Sequence, residues 1–274
     1  MTKLWVHDFG KFRMVLDESD MDLSRQVRML GEYSTESFEA KVCKEYLKPG
    51  QTVLDIGANI GFYTLIAASN VGPNGKVFAF EPSVQNVEMI GKSVAENSMT
   101  NVHVSNVAVS DKSGLGELYL SPYYQSEHSL FEYHYSSGTH SGKKTTVELV
   151  IIDEFLEQNC NSLNVDFIKM DIEGAESRAL CGMKKTLKEN KHLTMITEFW
   201  PQGFHNANSS PQDFLEKLSS YDFTISHIDE YQNKVYPVTV NEMMTIINDR
   251  VKNPTEKTKE TQAGGWYTNI LCVK

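Results

Sequence analysis

The stretch Val53 to Leu65, VLDIGANIGFYTL, passes from an apolar run to a glycine-bracketed turn and then to an apolar pattern at helical spacing. Val53 and Leu54 suit a buried strand, while Phe62, Leu65 and Ile66 recur on one face of a helix. Glycine at 57 and 61 lets the intervening backbone turn tightly and approach a ligand closely. The dinucleotide fingerprint G-x-G-x-x-G is not met, because Asn59 and Phe62 stand where its second and third glycines belong. Asp55 sets a carboxylate beside the turn, which disfavours a pyrophosphate and favours a cationic ligand.

Outward from this stretch, β-rich runs alternate with helical patterns. Thr52 to Asp55 is a strand, and Lys76 to Glu81 (KVFAFE) is the next. A helix then carries Val84, Val87, Ile90 and Val94 on one face, and Val102 to Val109 reads as the third strand. Val165 to Asp171, a helix over Ala175 to Leu187, and Leu193 to Glu198 resume the series; Phe223 to Ile228 and Tyr267 to Val273 close it. The alternation predicts an α/β fold with a doubly wound, mostly parallel sheet. Gly116 to Leu149 interrupts it with a strand pair, GELYL and TTVELV, joined by a polar segment that reads as a surface loop, with a mobile lid as the alternative. We therefore divide the chain into a cap segment, 1–48, and a ligand-binding domain, 49–274, with the insertion at about 114–149. Within the cap, WVHDFGKFRMVL suggests a small strand pair, and Glu36 to Leu47 a helix ended by Pro49-Gly50.

Composition narrows the function. With 26 Lys+Arg against 36 Asp+Glu the net charge is -10 over 274 residues, which repels phosphate backbones and disfavours a nucleic-acid substrate. The four cysteines show neither C-x-x-C nor zinc-finger spacing and read as reduced, structural thiols. No apolar run approaches the roughly 18 residues of a membrane span, and the N-terminus lacks a leader's apolar region, so the expectation is a cytoplasmic protein without membrane contact. Oligomeric state is left open.

Glu81 stands 24 residues after Gly57, near the roughly 20-residue offset at which a strand-end acid receives a ribose diol. A ribose and a positive end describe S-adenosylmethionine. DIGANIG, then AFEP followed by Asn86, NVAVSDKSG, VIIDEFL and FIKMDIEGAE, in that order, resemble the FkbM-type S-adenosylmethionine-dependent methyltransferases over roughly Thr35 to Glu198. The resemblance implies a class I methyltransferase (Rossmann-like) fold, a seven-stranded sheet with one antiparallel strand, and O-methylation of a small molecule, sugar or peptide. It also sets Asp55, Gly57, Asn59, Gly61, Glu81, Pro82, Asn86, Ala108 and Asp171 at the cofactor. Glu36 matches the acid of the relatives' Tyr-Glu-Pro segment, but its flanks here are Thr35 and Ser37. The first 30 residues and the chain after Glu198 carry little of the likeness, and acceptor choice is expected there.

Four strands end in carboxylates, Asp55, Glu81, Asp171 and Glu198, so a parallel sheet brings all four to the crevice at its carboxyl edge. Methyl transfer needs in-line alignment and removal of a proton from a hydroxyl acceptor. Asp171 or Glu198 is the candidate base, or the pair holds a divalent ion that lowers the acceptor's pKa; a salt bridge to Lys169 is the plainer alternative. Glu173 and Glu176 read as first-turn helix residues, stabilised by ~0.3–1 kcal/mol through the macrodipole. His128 is a third base candidate against the plain reading of a solvated loop histidine. Trp200 and Phe204 stand as pocket wall or core, and His205 as a weaker candidate. SPYY at Ser121 to Tyr124 lacks the second proline, and precedes the strand it would have to follow, for the motif of amino-directed methyltransferases. N- or carboxylate methylation and a non-catalytic cofactor-binding module remain as alternatives.

Overall fold

The apolar run at Val53 lies at the centre of a sheet. In this computed structural model, which describes residues 3–20, 23–30, 37–121, 125–132, 142–160, 164–252 and 266–274, Val53 is flanked by Val77 on one side and Phe167 on the other, both in parallel register. The chain runs β1 (Leu4–Asp8), β2 (Arg13–Asp17), α1 (Leu23–Leu30), α2 (Phe38–Tyr46), β3 (Thr52–Ile56), α3 (Phe62–Val71), β4 (Lys76–Phe80), α4 (Val84–Glu96), β5 (Val102–Ser105), β6 (Ala108–Val109), β7 (Gly114–Tyr119) and β8 (Lys144–Val150). It continues through α5 (Ile152–Cys160), β9 (Phe167–Met170), α6 (Glu176–Gly182), α7 (Lys184–Glu189), β10 (Thr194–Phe199), α8 (Pro201–Asn206), α9 (Pro211–Ser220), β11 (Thr224–Asp229), β12 (Lys234–Pro237), α10 (Val240–Lys252) and β13 (Thr268–Val273).

The main sheet has the order β5-β4-β3-β9-β10-β13-β11-β12. Its first five strands are parallel, and β13 lies antiparallel between β10 and β11. These are the seven expected strands; an eighth, β12, folds back antiparallel on β11. The winding reverses between β3 and β9, so their carboxyl ends form the switch-point crevice. Alternation then sorts the strand residues. Leu54, Ile56, Ile168 and Met195 enter one apolar cluster, while Val53, Val77, Phe167, Ile196 and Leu271 enter the cluster beneath α2 and α3. By the same period of two, Asp55, Lys169, Asp171 and Glu198 share that second face.

Two expected elements divide. Val102 to Val109 breaks after Ser105, where the Asn106 amide donates to the carbonyls of Glu81 (3.0 Å) and Pro82 (2.9 Å). The chain then leaves the main sheet as β6, which joins β8 and β7 in a separate three-stranded sheet. The helix over Ala175 to Leu187 is α6 and α7, parted at Met183, whose backbone is non-helical (φ -127, ψ 30); Gly182 just before it abuts the Ser110 carbonyl so closely that a Cβ would overlap it. The β1–β2 hairpin rests on α4, with the Val15 amide donating to Ser93 Oγ. The polar segment of the insertion lies outside the described residues over 133–141, as does the charged loop over 253–265. Among the described residues no helix is long and apolar enough to cross a membrane.

Candidate active site

The turn after β3 is fixed by its neighbours on both sides. Gly57 N and Ala58 N donate to the Phe80 carbonyl at 3.0 and 3.1 Å, and Asp171 N donates to Ile56 O at 2.9 Å. Gly57 (φ +85) packs so tightly on the Asp171 carbonyl that no side chain fits. Asn59 also has positive φ, and Gly61 (φ +97) caps α3. Glu81 closes the turn from beside it. Its Oε2 accepts from Asn59 N (2.8 Å), and its Oε1 from Ser83 N (2.9 Å) and Asn86 Nδ2 (3.2 Å). Burial pushes the Glu81 carboxyl up to about 7, and these three donors pull it the other way. Gly57, Asn59, Glu81, Pro82, Ala108 and Asp171 all line one cleft of about 510 Å³, measured out to its open mouth.

Asp55 does not face the crevice as expected. It is 1% exposed, stands behind the turn, and accepts a hydrogen bond from Thr64 Oγ1. Burial pushes its carboxyl up to about 6, against the pull of that bond and of Lys169. Glu36 lies outside the described residues.

The other side of the crevice is a charge cluster. Lys169, nearly buried, points its ammonium at Glu39 Oε1 and Asp171 Oδ2, each at 3.2 Å, and lies over the Tyr63 ring. Burial lowers its pKa, but Asp171 and Glu39 together carry it above the usual lysine value. The salt bridge foreseen for Asp171 therefore exists, with Asp171 still on the cleft wall. One carboxylate oxygen each of Asp171, Glu173 and Glu198 lies within 4.8 Å of the others. Burial first, then the charges of Asp171, Glu173 and Glu176, push Glu198 well above the usual carboxylate range.

Glu173 corrects the helix-dipole reading. It adopts φ +52 ahead of α6, in a turn made possible by Gly174 (φ +94), so it belongs to the acid cluster and not to a first helical turn. Glu176 does begin α6; it is fully buried and accepts from Ile172 N (3.0 Å) and Gly174 N (3.4 Å), bracing that turn.

His128 reaches the cleft from the insertion, which docks through Ser129 Oγ donating to the Glu173 carbonyl (2.8 Å). Burial lowers its pKa, which favours the neutral ring. Its Nδ1 accepts from Ser121 N at 3.1 Å, which puts the ring proton on Nε2. In that tautomer Nε2 donates, and this arrangement counts against His128 as the general base. Phe204 packs against Phe199 and Phe214 in the core, Trp200 is buried, and His205 lies on the exposed side of α8. Sequence reasoning passed over Glu39, which pairs with Lys169, and Asn269, the register partner of Glu198.

The family profile described as "Methyltransferase FkbM domain" matches residues 55–231. An arsenite methyltransferase of Halobacterium salinarum is 33% identical over 72 residues, covering 24% of this chain and 18% of that protein. Among solved structures, a methyltransferase FkbM from Methylobacillus flagellatus KT is 18% identical with a TM-score of 0.45, over 74% of this chain and 50% of that one. A SAM-dependent O-methyltransferase from Thermotoga maritima is 13% identical with a TM-score of 0.45, over 96% and 73% respectively. The chain thus spans half or less of the first two of these relatives.

Proposed function

The chain belongs to the FkbM methyltransferase family, and on that premise we propose that it transfers the methyl group of S-adenosylmethionine to a hydroxyl oxygen of a small molecule, sugar or peptide. The observation that carries this reading is the Glu81 carboxylate, 5% exposed on the cleft wall and tied to the glycine turn through Asn59 N. A carboxylate oxygen takes about two hydrogen bonds, and Oε2 takes a single one from Asn59, so it has capacity for a ribose hydroxyl. Gly57 brings backbone to the same wall without a side chain in the way, as a bound nucleoside requires, and Asn59 lines that wall beside it.

S-adenosylmethionine supplies an electrophilic methyl group on a positively charged sulfur. The chain aligns it, receives its charge and deals with the acceptor's proton. Asp171 suits the base: it lines the cleft, and Lys169 fixes its Oδ2. His128 Nε2–H, on the same cleft, donates to the acceptor or the nucleoside. The net charge of -10 favours an uncharged or cationic acceptor over a nucleic acid. Four free thiols suit work in a reducing cytoplasm.

The test is turnover. Incubation with S-adenosylmethionine and a panel of hydroxyl, amine and carboxylate acceptors, with mass spectrometry of the products, should yield S-adenosylhomocysteine and an O-methylated product. Products methylated on nitrogen or carboxylate would replace the oxygen assignment, and tight cofactor binding without turnover on any acceptor would favour a non-catalytic module.

A further inference from the structure

Three buried oxygens at or near the acid turn accept no hydrogen bond: Glu176 Oε2, Glu198 Oε2 and Asn269 Oδ1. Glu198 is 8% exposed. A carboxylate oxygen shut away from both water and donors is costly to the folded chain. Lys169 offsets little of this, because its ammonium is already shared between Glu39 and Asp171. Asn269 pairs with Glu198 across the β10–β13 ladder, so the two side chains rise from the same face at Cα positions about 5 Å apart.

We propose that Asp171, Glu173 and Glu198, with the Asn269 carboxamide oxygen beside them, form a binding site for a hard divalent cation such as magnesium or manganese. The donors are all oxygen, with no thiolate or imidazole among them, which selects magnesium, manganese or calcium over zinc or copper. The three carboxylate oxygens fall within 4.8 Å of one another, close enough for calcium with bonds of about 2.3–2.6 Å as they stand, and for magnesium or manganese with bonds nearer about 2.1 Å once the side chains draw in by a few tenths of an ångström. The ion supplies Glu198 Oε2 with the positive partner that the fold does not. Glu81 gives the contrast: similarly buried, it is supplied with three N–H donors by its own turn.

Ion binding stands independently of the methyl-transfer reading; its catalytic consequence rests on that reading. An ion here adjoins Asp171 on the cleft wall, where an acceptor hydroxyl bound to it would ionise more readily.

The experiment is calorimetry and electron paramagnetic resonance with manganese chloride on the full chain, repeated with magnesium chloride, for wild type, Glu173→Gln and Glu198→Gln. Circular dichroism checks the fold of each. The expected result is one manganese site, weakened at least about tenfold in each variant, while the affinity for S-adenosylhomocysteine moves less than about threefold. If Glu198→Gln misfolds, Glu173→Gln on the partly exposed turn carries the test alone. No manganese binding to folded wild type at about 1 mM, or unchanged binding in a folded variant, overturns the site. So does the pattern expected if the acids serve the donor's sulfonium alone: no metal binding, with the variants weakening S-adenosylmethionine more than S-adenosylhomocysteine. Metal binding without S-adenosylhomocysteine binding would uphold the site and overturn the methyl-transfer reading, and the converse would do the reverse.

Discussion

Glu81 and Glu198 occupy matching places at the carboxyl ends of two parallel strands, and each is more than nine-tenths buried. Their surroundings are opposite. Glu81 accepts from Asn59 N, Ser83 N and Asn86 Nδ2, groups within 22 residues of it. Glu198 faces the carboxylates of Asp171, Glu173 and Glu176, and its Oε2 accepts nothing. On the proposed function, the cofactor half of the crevice is complete before any ligand arrives, since local turns satisfy its charge. The acceptor half gathers charge from distant segments, and the proposed cation would supply the positive partner that it lacks.

The division of labour is broken most severely through Asp171. Asp171→Asn should lower turnover by about 10²–10⁴-fold, the usual worth of a general base, with affinity for S-adenosylhomocysteine nearly unchanged by calorimetry. A matched loss of affinity would move Asp171 to the cofactor half. Next comes Gly57→Ala, which drives a Cβ into the Asp171 carbonyl at positive φ. If the free turn relieves strain of about 3 kcal/mol by shifting and must be restored to bind, cofactor binding weakens by up to roughly 100-fold; unchanged binding in a folded variant would mean that this turn is not the platform.

A smaller effect sharpens the contrast. Glu81→Gln exchanges charged for neutral hydrogen bonds to the ribose, so cofactor affinity should fall by about 10-fold or somewhat more. Because burial places Glu81 at about 7 and hydroxyl donors favour its ionised form, wild-type affinity should decline as pH falls through about 7, by up to about tenfold per pH unit. Glu81→Gln should flatten that profile. Stability follows a related rule. Asp55, at about 6, and Glu81 and Glu176, at about 7, have folded values above their unfolded ones. Their penalty is absent below about pH 3 and complete above about pH 8, so over that interval these groups should lower the melting temperature as pH rises, and bound S-adenosylhomocysteine should reduce the decline by stabilising ionised Glu81.

The smallest effect is a control. Gly91 lies inside α4 with open space where a Cβ would be. Gly91→Ala should stabilise by about 0.5–1 kcal/mol, read as a rise in melting temperature, and leave cofactor affinity alone.

Much of the cofactor half was legible because its information is local. VLDIGANIG and the acid after KVFAF lie within one strand–helix–strand unit, where backbone geometry dictates glycine and burial dictates the apolar run. The acceptor half was legible only in outline. Asp171 and Glu198 could be assigned to strand ends, yet their approach depends on β9 and β10 being adjacent in the same register phase. Glu173 was misread because a carboxylate just ahead of a helix resembles a first-turn residue; the signal to weigh was Gly174, which permits the left-handed turn that swings Glu173 aside. Glu39 gave no comparable signal, since its partner Lys169 is 130 residues away. The tautomer of His128 was hidden for a different reason: it is set by the amide of Ser121, only seven residues away, through a loop fold that no periodicity announces.

The amino-acid sequence by itself determined the alternation that makes a doubly wound sheet, the glycine turn after β3, and the acids that end its strands, because each follows from short-range sterics and burial periodicity. Tertiary structure alone decided which of those acids face a ligand, which are spent on Thr64 or Lys169, and which retain an oxygen with no donor. Those outcomes depend on distances between segments far apart in the chain, and the energy of a buried charge is fixed by its neighbours in space.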